Sequence, residues 1–496
     1  MPRTESKANP YLALGVRPFI NCCSVRTMHG GSLMLPQVRA AMDAASRQFV
    51  NLDELMEAAG ARIAELTGAE WGIVTCGSAA AVALGTAACV AGNDPVKMLR
   101  LPFTEGMVNR VIIPRAQRFA YDQAVRMIGC HIVEIDTRDE LDRALEEPVA
   151  MVVLLGKQEH LSGVRLEEIA AVVHPRGIPI MVDAASEHIE RPSPWLRRGA
   201  DLVIYSGGKF LRGPQTSGLL LGNKRLALAA WRNGSPHQAL GRPMKVSKED
   251  IVGVIAALEY WFEERDPAAE RQKWYDDCAM VAERLAQLDG VRGETLEPEG
   301  VDRVPRLNIV WDRARFPLDG LALRQAVLDG ETRVMLDDNS VTENSIAVDP
   351  FQLQPGEAAE VGDAVVAALR ASLTNQPQAA RPSAPAIAGT WELRVAFMQG
   401  ERTHRLRLEQ HGNEVAGHQH SPQFEGPVEG VLDADQIRFA FIGRYEASNI
   451  SYRFEGRVAG GAMSGSVELG AASDQNSGIV NRSQFGAGQW QAHRVD

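Results

Sequence analysis

From Trp71 to Leu221 the chain alternates short apolar runs with longer amphipathic stretches. The runs 71–74, 110–113, 131–134, 150–155 and 178–182 have the length and β-branched content of buried strands. Apolar residues recur at helical spacing over 78–90, 121–128, 138–145 and 166–174. Strands alternating with helices predict a mostly parallel sheet covered on both faces. Two further runs, Leu202 to Tyr205 and Leu219 to Leu221, bracket a turn rich in glycine and proline. Helical spacing also marks 36–49 and 55–66 ahead of the first strand, and 248–263 and 267–288 beyond Gly241, before a βαβ-like passage from Val304 to Leu369.

The texture changes after Asn375. The segment NQPQAARPSAPAI (375–387) offers little to bury and reads as a linker. Short strands then follow at 390–393, 405–409, 427–432, 436–442, 451–458 and 462–469, separated by Gly, Asn and Asp turns, which predicts a small antiparallel barrel or sandwich. The expected division is an N-terminal arm and helix (1–50), a large α/β domain (51–245), a small α/β domain (246–374), the linker (375–387) and an accessory β-domain (388–496).

Composition narrows the possibilities. With 496 residues the chain is too long for one ordinary core. A formal net charge of -11 argues against a polyanion binder, so nucleic acid is not expected as a partner. The N-terminal MPRTESKANP lacks the apolar core of a signal peptide, and the longest apolar stretch, Ala79 to Ala91, is too short to span a bilayer. The six cysteines show no CxxC spacing and read as free thiols of a reducing cytoplasm. Cys22 and Cys23 are read as small buried filler, with a reactive role near the site as the alternative. His418 and His420 share one strand face, but no further metal ligand accompanies them, so no metal is expected.

Three pieces of chemistry stand in order along the large domain. A strand turns through Gly77-Ser78 into an Ala-rich helix, whose free N-terminal amides favour a phosphate. The strand ending at Val182 delivers Asp183 to the crevice where open α/β sheets bind ligands. Ser206-Gly207-Gly208 then presents Lys209, which reads either as a surface lysine or as a Schiff-base lysine. Pyridoxal phosphate needs all three: an anion site, a carboxylate that keeps its ring nitrogen protonated, and an amine that captures its aldehyde.

Together these pieces resemble the fold-type-I pyridoxal-phosphate enzymes, the aspartate aminotransferase superfamily. Phe19-Ile20-Asn21, Gly31-Ser32-Leu33-Met34, Gly207-Gly208-Lys209 with Arg212-Gly213-Pro214-Gln215, and Gly241-Arg242-Pro243-Met244-Lys245-Val246 narrow the likeness. They resemble the group related to bacterial selenocysteine synthase, which includes the D-glucosaminate-6-phosphate ammonia-lyase type. The likeness runs from about Gly15 to Leu369.

The resemblance implies roles for several residues. Lys209 would form the imine and shuttle a proton, and Asp183 would face the ring nitrogen. Ser206, Gly77 and Ser78 would hold the phosphate. Ser186 would contact the phenolic oxygen, or is a plain buried serine; His160 would contact the cofactor, or is a loop histidine. Arg26, Arg118 and Arg242, with Arg17 and Lys245, are candidates for binding a substrate anion, although Arg242 and Lys245 read equally as surface charges. The segment 117–122 is where the family covers the ring. There this chain has Gln117-Arg118-Phe119 in place of a His-Arg-Asn-like sequence, a departure that leaves the family's acid/base assignment, and with it the reaction, open.

The expected function is a cytoplasmic, homo-oligomeric pyridoxal-phosphate enzyme, at least a dimer, acting on a small anionic amino acid by loss of ammonia or water. Its arm and the 241–246 segment are expected to cross to a partner subunit. Transamination, racemisation and aldol cleavage begin from the same chemistry and stay open. So does a binding protein with a degenerate cofactor site. The β-domain is expected to be dispensable for the chemistry.

Overall fold

A computed structural model describes residues 9–300, 303–373, 385–472 and 481–495. The arm contributes a short strand, β1 (Ile20–Cys22). Seven strands form the main sheet: β2 (Trp71–Thr75), β3 (Arg110–Pro114), β4 (His131–Ile135), β5 (Met151–Leu155), β6 (Ile180–Asp183), β7 (Leu202–Ser206) and β8 (Gly218–Gly222). Their order is β2-β8-β7-β6-β5-β3-β4. Neighbours pair in parallel except at β8, which runs antiparallel to both β2 and β7.

Strands β2, β5 and β6 are buried almost throughout, because helices lie on both faces of the sheet. Helix Ser78–Ala91 is accordingly apolar on nearly every side. The helix expected over 121–128 is shorter, a 3₁₀ turn at Ala120–Asp122 followed by Gln123–Arg126. Helix Lys248–Glu259 packs in the first core with Val38, Met56 and Ile63, whereas the sequence division grouped it with the small domain.

The second core is built on β9 (Val291–Leu296), β10 (Arg306–Trp311), β11 (Val334–Leu336) and β12 (Ser345–Val348), with helices Pro267–Leu285, Gly320–Asp329 and Glu357–Ser372. The βαβ expectation needs correction here. β10 pairs antiparallel with both β9 and β12, and β11 pairs in parallel with β1 of the arm. Apolar periodicity marks strands but carries no strand direction. Cys22 and Cys23 are buried beside this seam, and the Cys23 thiol donates to the Leu336 carbonyl at 3.1 Å. Burial pushes the Cys23 thiol up to about 12, the character of filler and not of a nucleophile.

The C-terminal region is a closed antiparallel barrel of eight strands: β13 (Gly389–Ala396), β14 (Glu401–His411), β15 (Glu414–His420), β16 (Glu425–Asp433), β17 (Gln436–Tyr445), β18 (Ser448–Ala459), β19 (Ala462–Ala472) and β20 (Asn481–Arg494). Alternate residues point inward, and the interior is aromatic, with Phe439 stacked on Phe454 at 4.4 Å and Trp391 and Trp490 fully buried. Strand β20 has no counterpart in the sequence reading, and β15 has only the strand face assigned to His418 and His420. Most of the expected linker lies outside the described residues; its last residue, Ile387, is buried in the barrel core.

Candidate active site

The C-terminal ends of β5 and β6, the turn after β2 and the turn after β7 converge on a cavity of about 830 Å³. Asp183 ends β6, in register with Leu155 and Ile204 on its two neighbours, which fixes it at the sheet's centre. Its side chain is buried and accepts the Ala185 amide at 2.9 Å. Burial raises its pKa, against the lowering effects of that amide and of Lys209. A carboxylate so placed gains from a cationic partner.

Lys209 faces the same cavity. Its pKa is lowered by burial, opposed by Asp183 and reinforced by the charge of Lys157. The turn that presents it is clamped from several sides. The Gly207 amide donates to Ser217 at 2.9 Å and Gly213 to Gly207 at 2.8 Å. From the arm, the Ser32 amide and hydroxyl both donate to the Gly208 carbonyl.

Across the cavity Gly77 holds a φ of 88° and caps helix Ser78–Ala91 without any side-chain hydrogen bond to the first amides. Amides left in that state at a helix N-terminus suit a phosphate. Strand β8 presses against this turn: a Cβ on Gly218 would meet the Gly77 carbonyl carbon at 2.5 Å and the Ser78 nitrogen at 2.6 Å.

Of the residues singled out in the sequence, Gly77, Ser78, Asp183, Ser186, Ser206 and Lys209 line this one cavity, and Lys245 stands in its wall. The others stand elsewhere. His160 is exposed in the 3₁₀ segment Gly156–Leu161. Arg26 pairs with Asp337 at 2.7 Å and Asp338 at 2.5 Å. Arg118 is held by Asp122, Glu134 and Glu446. Arg242 is exposed near Ser235, and Arg17 donates to the carbonyls of Gly330 and Glu331.

Sequence reasoning passed over Lys157, Gln158, Thr27 and Thr216, which also line the cavity. Lys157 follows the end of β5, a position where open parallel sheets place ligand contacts, and that was the usable signal. In the segment 117–122, Phe119 and Tyr121 face the cavity. Gln117 turns away and accepts the Leu155 amide at 2.8 Å.

An anion cradle, a buried carboxylate and a buried amine around one cavity fit pyridoxal phosphate. Comparison with known proteins agrees. No protein-family model matches the chain. A 5'-C-glycyluridine monooxygenase-decarboxylase of Streptomyces sp is 32% identical over 367 residues, covering 71% of this chain and 90% of the relative. The D-glucosaminate-6-phosphate ammonia lyase of Salmonella typhimurium is 29% identical over 374 residues, covering 73% and 97%. A solved structure of D-glucosaminate-6-phosphate ammonia-lyase superposes with a TM-score of 0.67 at 28% identity, over 73% of this chain and 99% of that one. The fold, the residues that line the cavity and these relatives together place the chain in the fold-type-I pyridoxal-phosphate enzymes, in the group that includes D-glucosaminate-6-phosphate ammonia-lyase and selenocysteine synthase.

Proposed function

We propose that this protein is a pyridoxal-phosphate-dependent lyase that removes ammonia or water from a small anionic amino acid. The observation that carries the reading is the convergence of Lys209, Asp183 and the uncapped Gly77-Ser78 turn on one cavity. When bound, pyridoxal phosphate supplies an aldehyde that captures an amino group and a ring that takes up electrons from the adjacent carbon.

The protein's own contributions follow from position. The Gly77 and Ser78 amides and the Ser206 hydroxyl would hold the phosphate. Asp183, with Ala185 fixing its carboxylate, keeps a positive charge opposite it. Nζ of Lys209 takes the proton from the substrate's α carbon as the leaving group departs from the β carbon. Phe119 and Tyr121 cover the cavity and limit water. Lys157 and Lys245, at its wall, attract the substrate's anionic group.

The second reading, an oxidative decarboxylation, is favoured by the 32% identical Streptomyces relative. The two separate cleanly: a lyase releases ammonia or water without oxygen, whereas the alternative consumes oxygen and releases carbon dioxide. A panel of amino-sugar acids and hydroxy amino acids bearing a carboxylate or phosphate, assayed for ammonia, keto acid, oxygen uptake and carbon dioxide, decides between them. The wild type should show a visible band near roughly 410 to 430 nm that borohydride removes. Lys209→Ala should fold, lack that band and lose several powers of ten in turnover. Wild-type activity in Lys209→Ala would overturn the assignment.

A homodimer is part of the proposal. Phe49, in the loop after helix Pro36–Ser46, is fully exposed and Leu14, Leu33 and Met28 of the arm are about half exposed or more, an apolar set that a second copy would cover. Six unpaired thiols are consistent with the cytoplasm. Among the described residues no helix is long and apolar enough to cross a membrane.

A further inference from the structure

A barrel side chain reaches the segment that forms the cofactor cavity's wall, at Arg118. Arg118 is almost fully buried, at 6% side-chain exposure, and its three guanidinium nitrogens go to three different carboxylates. Nε donates to Asp122 at 2.5 Å, Nη1 to Glu134, and Nη2 to Glu446 at 2.9 Å. Asp122 belongs to the ring-covering segment and Glu134 to β4, but Glu446 comes from the barrel, at the tip of the β17–β18 hairpin. Each nitrogen of the fork is thus engaged by protein, which leaves Arg118 organised for holding structure and not for a substrate anion.

The hairpin tip is built to deliver that carboxylate. Tyr445 and Ser448 pair across a two-residue turn, which gives the loop little freedom. Glu446 occupies its first position with a φ of 52°. Glycine is the default there, and a glutamate accepts a disfavoured backbone. An outlier of this kind points toward a use for the side chain. Ala447 beside it is buried, at 3% exposure, and the Arg444 guanidinium donates to the Glu446 carbonyl at 3.2 Å.

We propose that Glu446 is a positioning residue of the cofactor cavity, in which the barrel fixes Arg118 and through it the Phe119–Tyr121 wall. This inference rests on the cofactor reading of the cavity. Phe119 follows Arg118 directly and is itself buried at 8% exposure, and both Phe119 and Tyr121 line the cavity that contains Lys209 and Asp183. Holding the guanidinium from the barrel side therefore restricts the wall's ring positions. It also gives the barrel a part in the site, contrary to the dispensability expected from sequence. Asp122 and Glu134 remain as partners when Glu446 is altered, so the large domain keeps its charge balance and its fold.

The test uses the full-length chain as wild type, Glu446→Gln and Glu446→Asp, with circular dichroism confirming that each is folded. Trypsin cleavage after Arg118, read on protein stripped of cofactor, should accelerate on the order of tenfold in Glu446→Gln. The dissociation constant for added pyridoxal phosphate should rise by a similar factor, and Glu446→Asp should recover part of both changes. Unchanged cleavage and unchanged cofactor affinity in Glu446→Gln would overturn the proposal. So would equal losses in Glu446→Asp and Glu446→Gln, since a clamp by charge should tolerate the shorter acid better than the amide. A wild type that fails to bind pyridoxal phosphate would sink the cofactor reading instead, while the trypsin comparison would still report on the clamp.

Discussion

Ser32 aims both of its hydrogens at a single atom of the lysine turn: its amide and its hydroxyl donate to the Gly208 carbonyl at 3.1 and 3.0 Å. The arm thus braces the backbone immediately before Lys209. Ser32→Ala keeps the amide bond and loses the hydroxyl, which should cost about 1 kcal/mol. Denaturant unfolding measures that loss. Cofactor affinity should fall modestly with it; a larger fall with unchanged stability would mean that Ser32 touches the cofactor itself.

Gly218→Ala should damage the anion cradle more than the fold. The added Cβ would sit 2.5 Å from the Gly77 carbonyl carbon and 2.6 Å from the Ser78 nitrogen, and both neighbours are backbone, which cannot swing aside. Turn and strand must separate. The expected result is a folded protein with at least about tenfold weaker binding of pyridoxal phosphate, by equilibrium dialysis. Wild-type affinity would place the phosphate elsewhere.

Asp183→Asn removes charge while keeping shape. An amide cannot stabilise a protonated ring nitrogen, so turnover should drop about a hundredfold or more while cofactor still binds. Turnover equal to the wild type would return Asp183 to the status of an ordinary strand-end acid.

Burial holds the Lys209 amine below the ordinary lysine value of 10.5. The folded protein therefore binds this proton less readily than the unfolded chain, and the neutral amine is available at lower pH. Formation of the borohydride-sensitive band should rise with pH with a midpoint below the ordinary lysine value of 10.5, when followed by stopped-flow absorbance. A midpoint at or above the ordinary lysine value contradicts the geometry.

Asp349 makes a prediction about stability. Burial raises its pKa from 3.8 to about 6, despite Arg306 and the Phe351 amide. Because the folded state holds the proton more tightly, this group favours folding below its unfolded pKa and loses that contribution as pH climbs through about 6. Asp349→Asn should therefore gain stability relative to the wild type between those values and hold the gain at neutral pH. A difference that stays flat across that range, by denaturant titration, would show that Asp349 titrates normally.

What the sequence revealed and concealed divides along physical lines. The large-domain strands were legible because each is a short apolar run at the centre of a covered sheet, and their ends were placed within about two residues. Asp183, Lys209 and Gly77-Ser78 were legible because strand-to-turn junctions put chemistry in a fixed place. β20 was not, and β15 only at His418 and His420, since NRSQFGAGQWQAHR and EVAGHQH carry too few apolar residues to announce a strand; barrel neighbours impose their pairing. The fates of Arg26 and Arg118 were equally hidden. Their carboxylate partners include Asp337 and Glu446, more than 300 positions away, and an arginine's local context does not say which acids the fold will bring.

Strand β8, antiparallel between β2 and β7, has a consequence for how such a site can diversify. It starts where the lysine turn ends, and its first residue, Gly218, lies against the phosphate turn. The gap between amine and anion cradle is thus gauged by backbone ladders, like the jaws of a caliper, and not by loop length. The other cavity-lining residues Phe119, Tyr121, Lys157 and Lys245 lie outside that pair of ladders. A substitution at Lys157 or Lys245 therefore leaves the spacing between amine and anion cradle as the ladders set it.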